Sequence, residues 1–232
     1  MHWFYCTDIR GQSATLDEVE SRHCIKSLRL SKGDEIIVCD GSGSVYKAEI
    51  VDPHPKKCKL QIMELLESKR SAYKVHIALA PTKQNERTEW FLEKATEIGF
   101  TEFSPILCSN SERRKIKLER FDKILISALK QSHQALLPKL NDLQKFSKFI
   151  ENADSPNKFI AHCRDASIAL LQNSISKGED ALILIGPEGD FTEEEVELAI
   201  KAGFKPISLG KSRLRTETAG IVAVQTLAFV NS

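Results

Sequence analysis

Between Ala181 and Gly220 the chain gathers the side chains with the most chemical reach, Glu188, Arg213, Arg215 and Glu217, on two loops that also carry glycine. Gly186-Pro187-Glu188-Gly189 is one loop, and Gly210-Lys-Ser-Arg-Leu-Arg215 is the other. Glycine turns offer backbone donors and acceptors at close range, and proline ends a strand because it lacks a donor. Such a pair of loops, flanked by two carboxylates and two arginines, suits a polar small molecule together with a polyanion. Either loop alone is equally an ordinary strand-to-helix turn.

The elements that must hold these loops follow from the flanking pattern. Ala181-Leu-Ile-Leu-Ile185 is wholly apolar, as a strand buried on both faces of a parallel sheet would be. Thr192 with Glu195 forms a capping box that opens a helix carrying Val196, Ala199 and Ile200, stopped at Gly203. Residues 206–209 predict the next strand, and Thr216 is a plausible N-cap for a last apolar helix reaching about Phe229. Strand, loop, helix, strand, loop, helix is the order of a parallel α/β sheet, whose ligands sit beyond the carboxyl ends of its strands.

Several kinds of site are excluded. Gly210-Lys211-Ser212 mimics the end of a phosphate-binding loop, but Lys205 stands where its first glycine belongs. There is no GxGxxG, no HExxH and no GxSxG nucleophile elbow, and the six cysteines are too scattered for a zinc pair, so no metal is expected. With 41% hydrophobic and 28% charged residues among 232, the chain predicts a globular protein of one or two domains. Its net charge of +1 means that attraction to nucleic acid must come from local patches. The first residues lack signal-peptide features, and no apolar run is long enough to span a bilayer, so no membrane association and a cytoplasmic location with reduced, mostly buried thiols are expected.

Residues 1–70 predict a small β domain, with strands at 34–40, 45–51 and 58–65. A short helix over 18–30 groups Arg22, His23, Lys26 and Arg29, a cluster that suits RNA phosphate or plain solvated surface. Glu67–Ser71 is the candidate linker. From 73 to 232 a strand at 74–80, a helix at about 86–98 capped by Gly99, a strand at 102–108, a helix reaching Ser132 and a strand at 159–161 precede a helix at about 166–176.

LIGPEGDFTEEEVELAIKAGF followed by SLGKSRLRTETA resembles the signature of the SPOUT-class methyltransferases that make 3-methyluridine in small-subunit (16S) ribosomal RNA. His23 with Leu28-Arg29-Leu30, Glu93-Lys94-Ala-Thr-Glu97-Ile-Gly99, Ser111-Glu-Arg113 and Gln131-Ser132 extend the resemblance over nearly the whole chain. It implies a PUA-like β barrel over 1–70 that helps hold RNA, and a knotted α/β domain over 73–232. It implies S-adenosylmethionine as methyl donor, a homodimer, and ribosomal RNA or the 30S particle as partner.

The resemblance also implies roles for residues. Leu184, Gly186, Pro187, Glu188, Gly189, Leu209, Gly210, Leu214 and Thr216 would form the donor pocket. Arg215 would steady the imide anion of a uracil, with Arg87 as helper and Glu217 as the candidate base, although a first-turn carboxylate also simply favours the helix dipole. Arg10, Arg22, His23, Lys26, Arg29, Arg113 and Arg114 would meet RNA. Three departures stand out: Asp190 where the family has a second glycine after GPEG, Gln134 where it commonly has arginine, and the form of Lys211–Arg215. A non-catalytic RNA-binding or ribosome-assembly factor that kept the fold is the alternative.

Overall fold

A computed structural model describes residues 1–69, 71–162 and 168–232. The chain forms two compact units, Met1–Ser71 with Ile126–Leu137, and Ala72–Leu125 with Pro138–Ser232.

The first unit holds β1 (Trp3–Tyr5), β2 (Asp8–Arg10), β3 (Ser13–Thr15), α1 (Glu18–Arg22), β4 (Glu35–Cys39), β5 (Ser44–Asp52) and β6 (Lys59–Ser68). The strand order is β1-β4-β5-β6-β3-β2, with β1 and β4 parallel and the other ladders antiparallel. Phe4, Ala14, Val38, Ile50 and Leu60 meet in one buried cluster with Ile9 against it, so all six strands contribute to one core, and Ile37, Cys39 and Val45 pack separately on Leu129 and Ala135. Bulges along β5 and β6 supply the bend that such wrapping needs. Asp17 caps α1, its carboxylate accepting from the Glu20 amide. The helix expected at 18–30 then changes pitch: His23–Ser27 is a π turn, closed by the Leu28 amide on the His23 carbonyl at 3.0 Å.

The second unit is a parallel sheet of β7 (Val75–Leu79), β8 (Glu102–Leu107), β9 (Lys139–Leu140), β10 (Gln144–Lys145), β11 (Lys158–Ala161), β12 (Ala181–Ile185) and β13 (Lys205–Ile207). Its order is β10-β8-β7-β12-β11-β13, with β9 also on β8. β12 lies between β7 and β11, which explains why all five of its residues are apolar and buried. On one face Ala78, Leu182, Leu184 and Ile160 pack with Phe146, Phe149, Phe191, Val196 and Phe204, from or beside α4 (Phe146–Glu151) and α5 (Glu193–Lys201). α2 (Asn85–Ile98) and α6 (Thr216–Asn231) pack on one another and α6 on β7 and β12. Gly220 makes that approach possible, because a Cβ there would lie 2.6 Å from the Phe91 ring and 3.0 Å from Leu79. α3 (Leu118–Gln131) is the amphipathic helix expected before Ser132.

The capping box at Thr192 and Glu195 forms as expected, and Gly99 is the left-handed cap of α2 at φ 108°. The N-cap of α6 is corrected from Thr216 to Arg215, since Thr216 is already helical and its hydroxyl is used elsewhere. β6 continues to Ser68, into the expected linker, of which Arg70 lies outside the described residues. The helix expected at about 166–176 begins outside them, and its described part is one 3-10 turn, Leu171–Asn173. Five cysteines are buried and free, whereas Cys163 lies outside the described residues. No described helix is long and apolar enough to cross a membrane.

Candidate active site

All strands of the second unit run the same way, so the loops leaving β12 and β13 reach one edge of the sheet. Between them opens a cleft of about 270 Å³, lined by residues 185–188, Asp190 and residues 213–216 with Ala161 and Ala219. Its walls are mostly apolar and backbone, with Glu188, Asp190, Arg213 and Arg215 as charged groups.

Local bonds hold the first loop in shape. The Thr216 hydroxyl donates to the Gly186 carbonyl at 3.0 Å, tying the start of α6 to the end of β12. Asp190 sits at φ 62°, a conformation that disfavours most side chains, and its carboxylate accepts from the Phe191 amide at 2.8 Å. Asn110, on the loop after β8, donates to the Gly189 and Asp190 carbonyls at 3.3 and 3.0 Å. The Ser109 amide reaches Glu195 of the capping box at 2.7 Å. A third loop, after β7, joins them, for the Lys83 amide donates to Glu188 Oε1 at 2.9 Å. That loop is braced by Thr82 against Thr88 and by Arg113, whose guanidinium donates to the carbonyls of Thr82 and Lys83.

Glu217, in the first turn of α6, is only 7% exposed and is not among the residues that line the cleft. Its Oε1 lies 3.8 Å from Arg87 Nε on α2, while its buried Oε2 has no hydrogen-bond partner among the described residues. An unpaired buried carboxylate oxygen is costly, typically about 1–3 kcal/mol. Arg215 and Arg213 are exposed, and Leu214 is half-buried.

Of the residues expected at the donor pocket, Gly186, Pro187, Glu188, Leu214 and Thr216 line the cleft beside Arg215. Leu184 does not, because it points into the core cluster and is fully buried. Gly189, Leu209 and Gly210 also lie off the lining: Gly189 serves through its carbonyl, and the Gly210 amide donates to Ser208 Oγ. Arg113, expected at RNA, is half-buried and donates to the carbonyls of Thr82 and Lys83, so it also clamps that loop. Arg114 lines a second cleft with Lys145. In the first unit Arg10, Arg22, His23, Lys26 and Arg29 are all exposed, with Arg10 paired to Asp8 and Arg22 to Glu18. Asn110, Lys83 and Thr82 were not anticipated. Their signal was available, since each follows a strand at the same carboxyl edge.

Two units, one a wrapped β domain and the other a parallel sheet with its cleft beyond β12 and β13, have the architecture of a PUA-like domain joined to an RNA methyltransferase domain. The RNA methyltransferase domain family matches residues 69–228, and the RNA methyltransferase PUA domain family matches residues 16–63. The chain therefore belongs to the RNA methyltransferase family. It is 31% identical to ribosomal RNA small subunit methyltransferase E of Synechocystis over 91% of this chain and 71% of that one. The crystal structure of a probable rRNA-methyltransferase from Porphyromonas gingivalis superposes with a TM-score of 0.91 at 40% identity, covering 100% of this chain and 98% of that one. Ribosomal RNA small subunit methyltransferase E from Neisseria gonorrhoeae, bound to S-adenosyl methionine, gives 0.86 at 25% identity with the same coverage.

Proposed function

We propose that this chain transfers a methyl group from S-adenosylmethionine to N3 of a uridine in small-subunit ribosomal RNA, acting as a cytoplasmic homodimer. The observation that carries the reading is the cleft itself, in which an exposed arginine borders an apolar, backbone-lined slot at the carboxyl ends of β12 and β13.

The residues present suit the donor. Ile185, Pro187, Leu214 and Ala219 give apolar surface for a purine, and Glu188 and Asp190 place negative charge beside a sulfonium. When bound, that donor supplies an electrophilic methyl group. The chain must then align the base for in-line attack and favour release of the N3 proton to solvent water. Arg215 stands at the N-cap of α6, so its guanidinium extends from a fixed backbone point at the cleft wall toward the uracil oxygens, where negative charge develops. Arg87 and Glu217 pair behind that wall and orient the first turn of α6, the role that the geometry favours for Glu217 over proton abstraction.

One feature supports the dimer. α6 is rich in apolar residues, yet Ile221, Val222 and Phe229 keep exposed or half-exposed surface, as expected of a helix that finishes its burial against a second copy.

Transfer of labelled methyl to small-subunit RNA tests the reading, with nucleosides identified by mass spectrometry. Wild type should yield 3-methyluridine, and Arg215→Ala should lose about a hundredfold in rate while donor affinity by calorimetry stays within about twofold. A wild-type protein that does not bind the donor overturns the proposal.

A further inference from the structure

The first unit contains a cleft that the reaction leaves unused. It measures about 550 Å³, within the rough 300–1,000 Å³ range of small-ligand sites, and its rim carries Trp3, His23, Gln131 and His133 above Glu20 and Lys130. Glu20 is buried, ion-paired to Lys130 and bonded by the Tyr5 amide, so the floor is neutral and polar with its charges already matched.

His133 is the informative residue. α3 ends in a Schellman motif, in which the Gln134 amide reaches the Leu129 carbonyl at 3.1 Å and the His133 amide reaches the Lys130 carbonyl at 3.4 Å. The position between them must be left-handed, and His133 takes φ 55° where glycine would fit without strain. The ring gained in exchange stacks on Trp3, with centroids 4.6 Å apart and planes within 12°. Trp3 is anchored by packing against Ile37, Cys39 and Leu129, whereas His133 is exposed. A stacked pair with its outer ring in solvent, on the rim of a charge-neutral cleft, is a platform for another flat ring. Bases of single-stranded RNA are the flat rings such platforms take, with sequence tolerance.

We infer that Trp3 and His133 form a stacking site for an unpaired nucleobase, a reading that rests on the proposed RNA substrate. Exposed Lys26 on the π turn after α1 supplies positive charge for the adjoining phosphates, and His23 beside it can donate a hydrogen bond.

Trp3 reports on its own site. The chain has two tryptophans, and Trp90→Phe replaces the other, which is 44% exposed on α2. Titrating that variant with a short unstructured oligoadenylate should give saturable quenching of Trp3 fluorescence. Inorganic polyphosphate, which carries charge without bases, should not quench. Adding His133→Gly removes the outer ring and relaxes the backbone, so the protein stays folded and the affinity falls about tenfold. Absence of quenching, equal quenching by polyphosphate, or unchanged affinity in the His133→Gly protein overturns the site. Methyl transfer takes no part in this readout, so a protein that methylates RNA without quenching loses only the cleft, and one that quenches without methylating loses only the proposed reaction.

Discussion

At the scale of single residues, the site depends on groups whose bonding decides their role more than their type does. Glu217 has the type of a general base, but its carboxylate faces Arg87 and stays off the cleft lining. Glu217→Gln keeps the shape, so methylation should remain within about tenfold of wild type, whereas a general base would contribute roughly 10²–10⁴. Single-turnover rates separate the two outcomes. Asp190 is the converse case, where a departure from the family's glycine is accommodated locally. Its φ of 62° is strained, and the bond from the Phe191 amide offsets part of that strain. Asp190→Gly should leave the unfolding free energy within about 0.5 kcal/mol, since relief of strain balances the lost bond, while Asp190→Val should cost about 2 kcal/mol or more. Thermal unfolding of the two variants checks the contrast.

Among elements, the loop after β7 is the part that the cleft borrows from outside its own lining. Arg113 forks onto two carbonyls of that loop, and the loop in turn fixes Glu188 through the Lys83 amide. Arg113→Ala should therefore raise the KM for the donor about tenfold with kcat and RNA affinity little changed, and Arg113→Lys should not restore it, because an ammonium cannot span both carbonyls. Weakened RNA affinity with unaltered donor KM would return Arg113 to the RNA side. The paired loops around Gly186 and Leu214 were legible in the sequence because apolar runs, glycines and a capping box mark them within forty residues. Arg113 was legible only as a positive charge. Its partners are backbone carbonyls some thirty positions away, and nothing in side-chain pattern records a backbone acceptor. The short strands β1–β3, β9 and β10 were missed for a related reason: with two or three residues each they show no period, and tertiary pairing alone makes them strands. The π turn at His23–Ser27 likewise follows from packing and not from helical spacing.

For the molecule as a whole, two properties follow from what the fold leaves exposed and what it buries. The half-exposed apolar surface of α6 predicts sedimentation at twice the 26.0 kDa chain mass, and Phe229→Glu, at a position 71% exposed in one copy, should shift the species toward monomer. Sedimentation at a single chain mass for wild type would remove the dimer. The second property is acid sensitivity of the sheet. His76, on β7, packs edge-on against Phe149, and its Nε2 lies 2.8 Å from the Ser104 hydroxyl, which also receives a bond from Asn141. Burial pushes its pKa down to about 4; nearby Glu102 acts in the opposite direction, and Lys139 and Lys74 add to the depression. The unfolded chain, with histidine near 6.5, binds this proton more readily than the folded one, so the stabilisation is complete above about pH 6.5 and is lost as pH falls toward 4. A shift of that size corresponds to roughly 3 to 3.5 kcal/mol across the window. Glu102 works in the same direction lower down, for although its own burial opposes ionisation, bonds from Asn141 and Lys139 and the charge of His76 hold its pKa below the usual range. Chemical denaturation between pH 7 and pH 4 should show this loss in wild type, and His76→Gln should flatten the slope between pH 6.5 and 4.5 while leaving the lower limb. An unchanged slope in His76→Gln would assign the acid sensitivity to other groups.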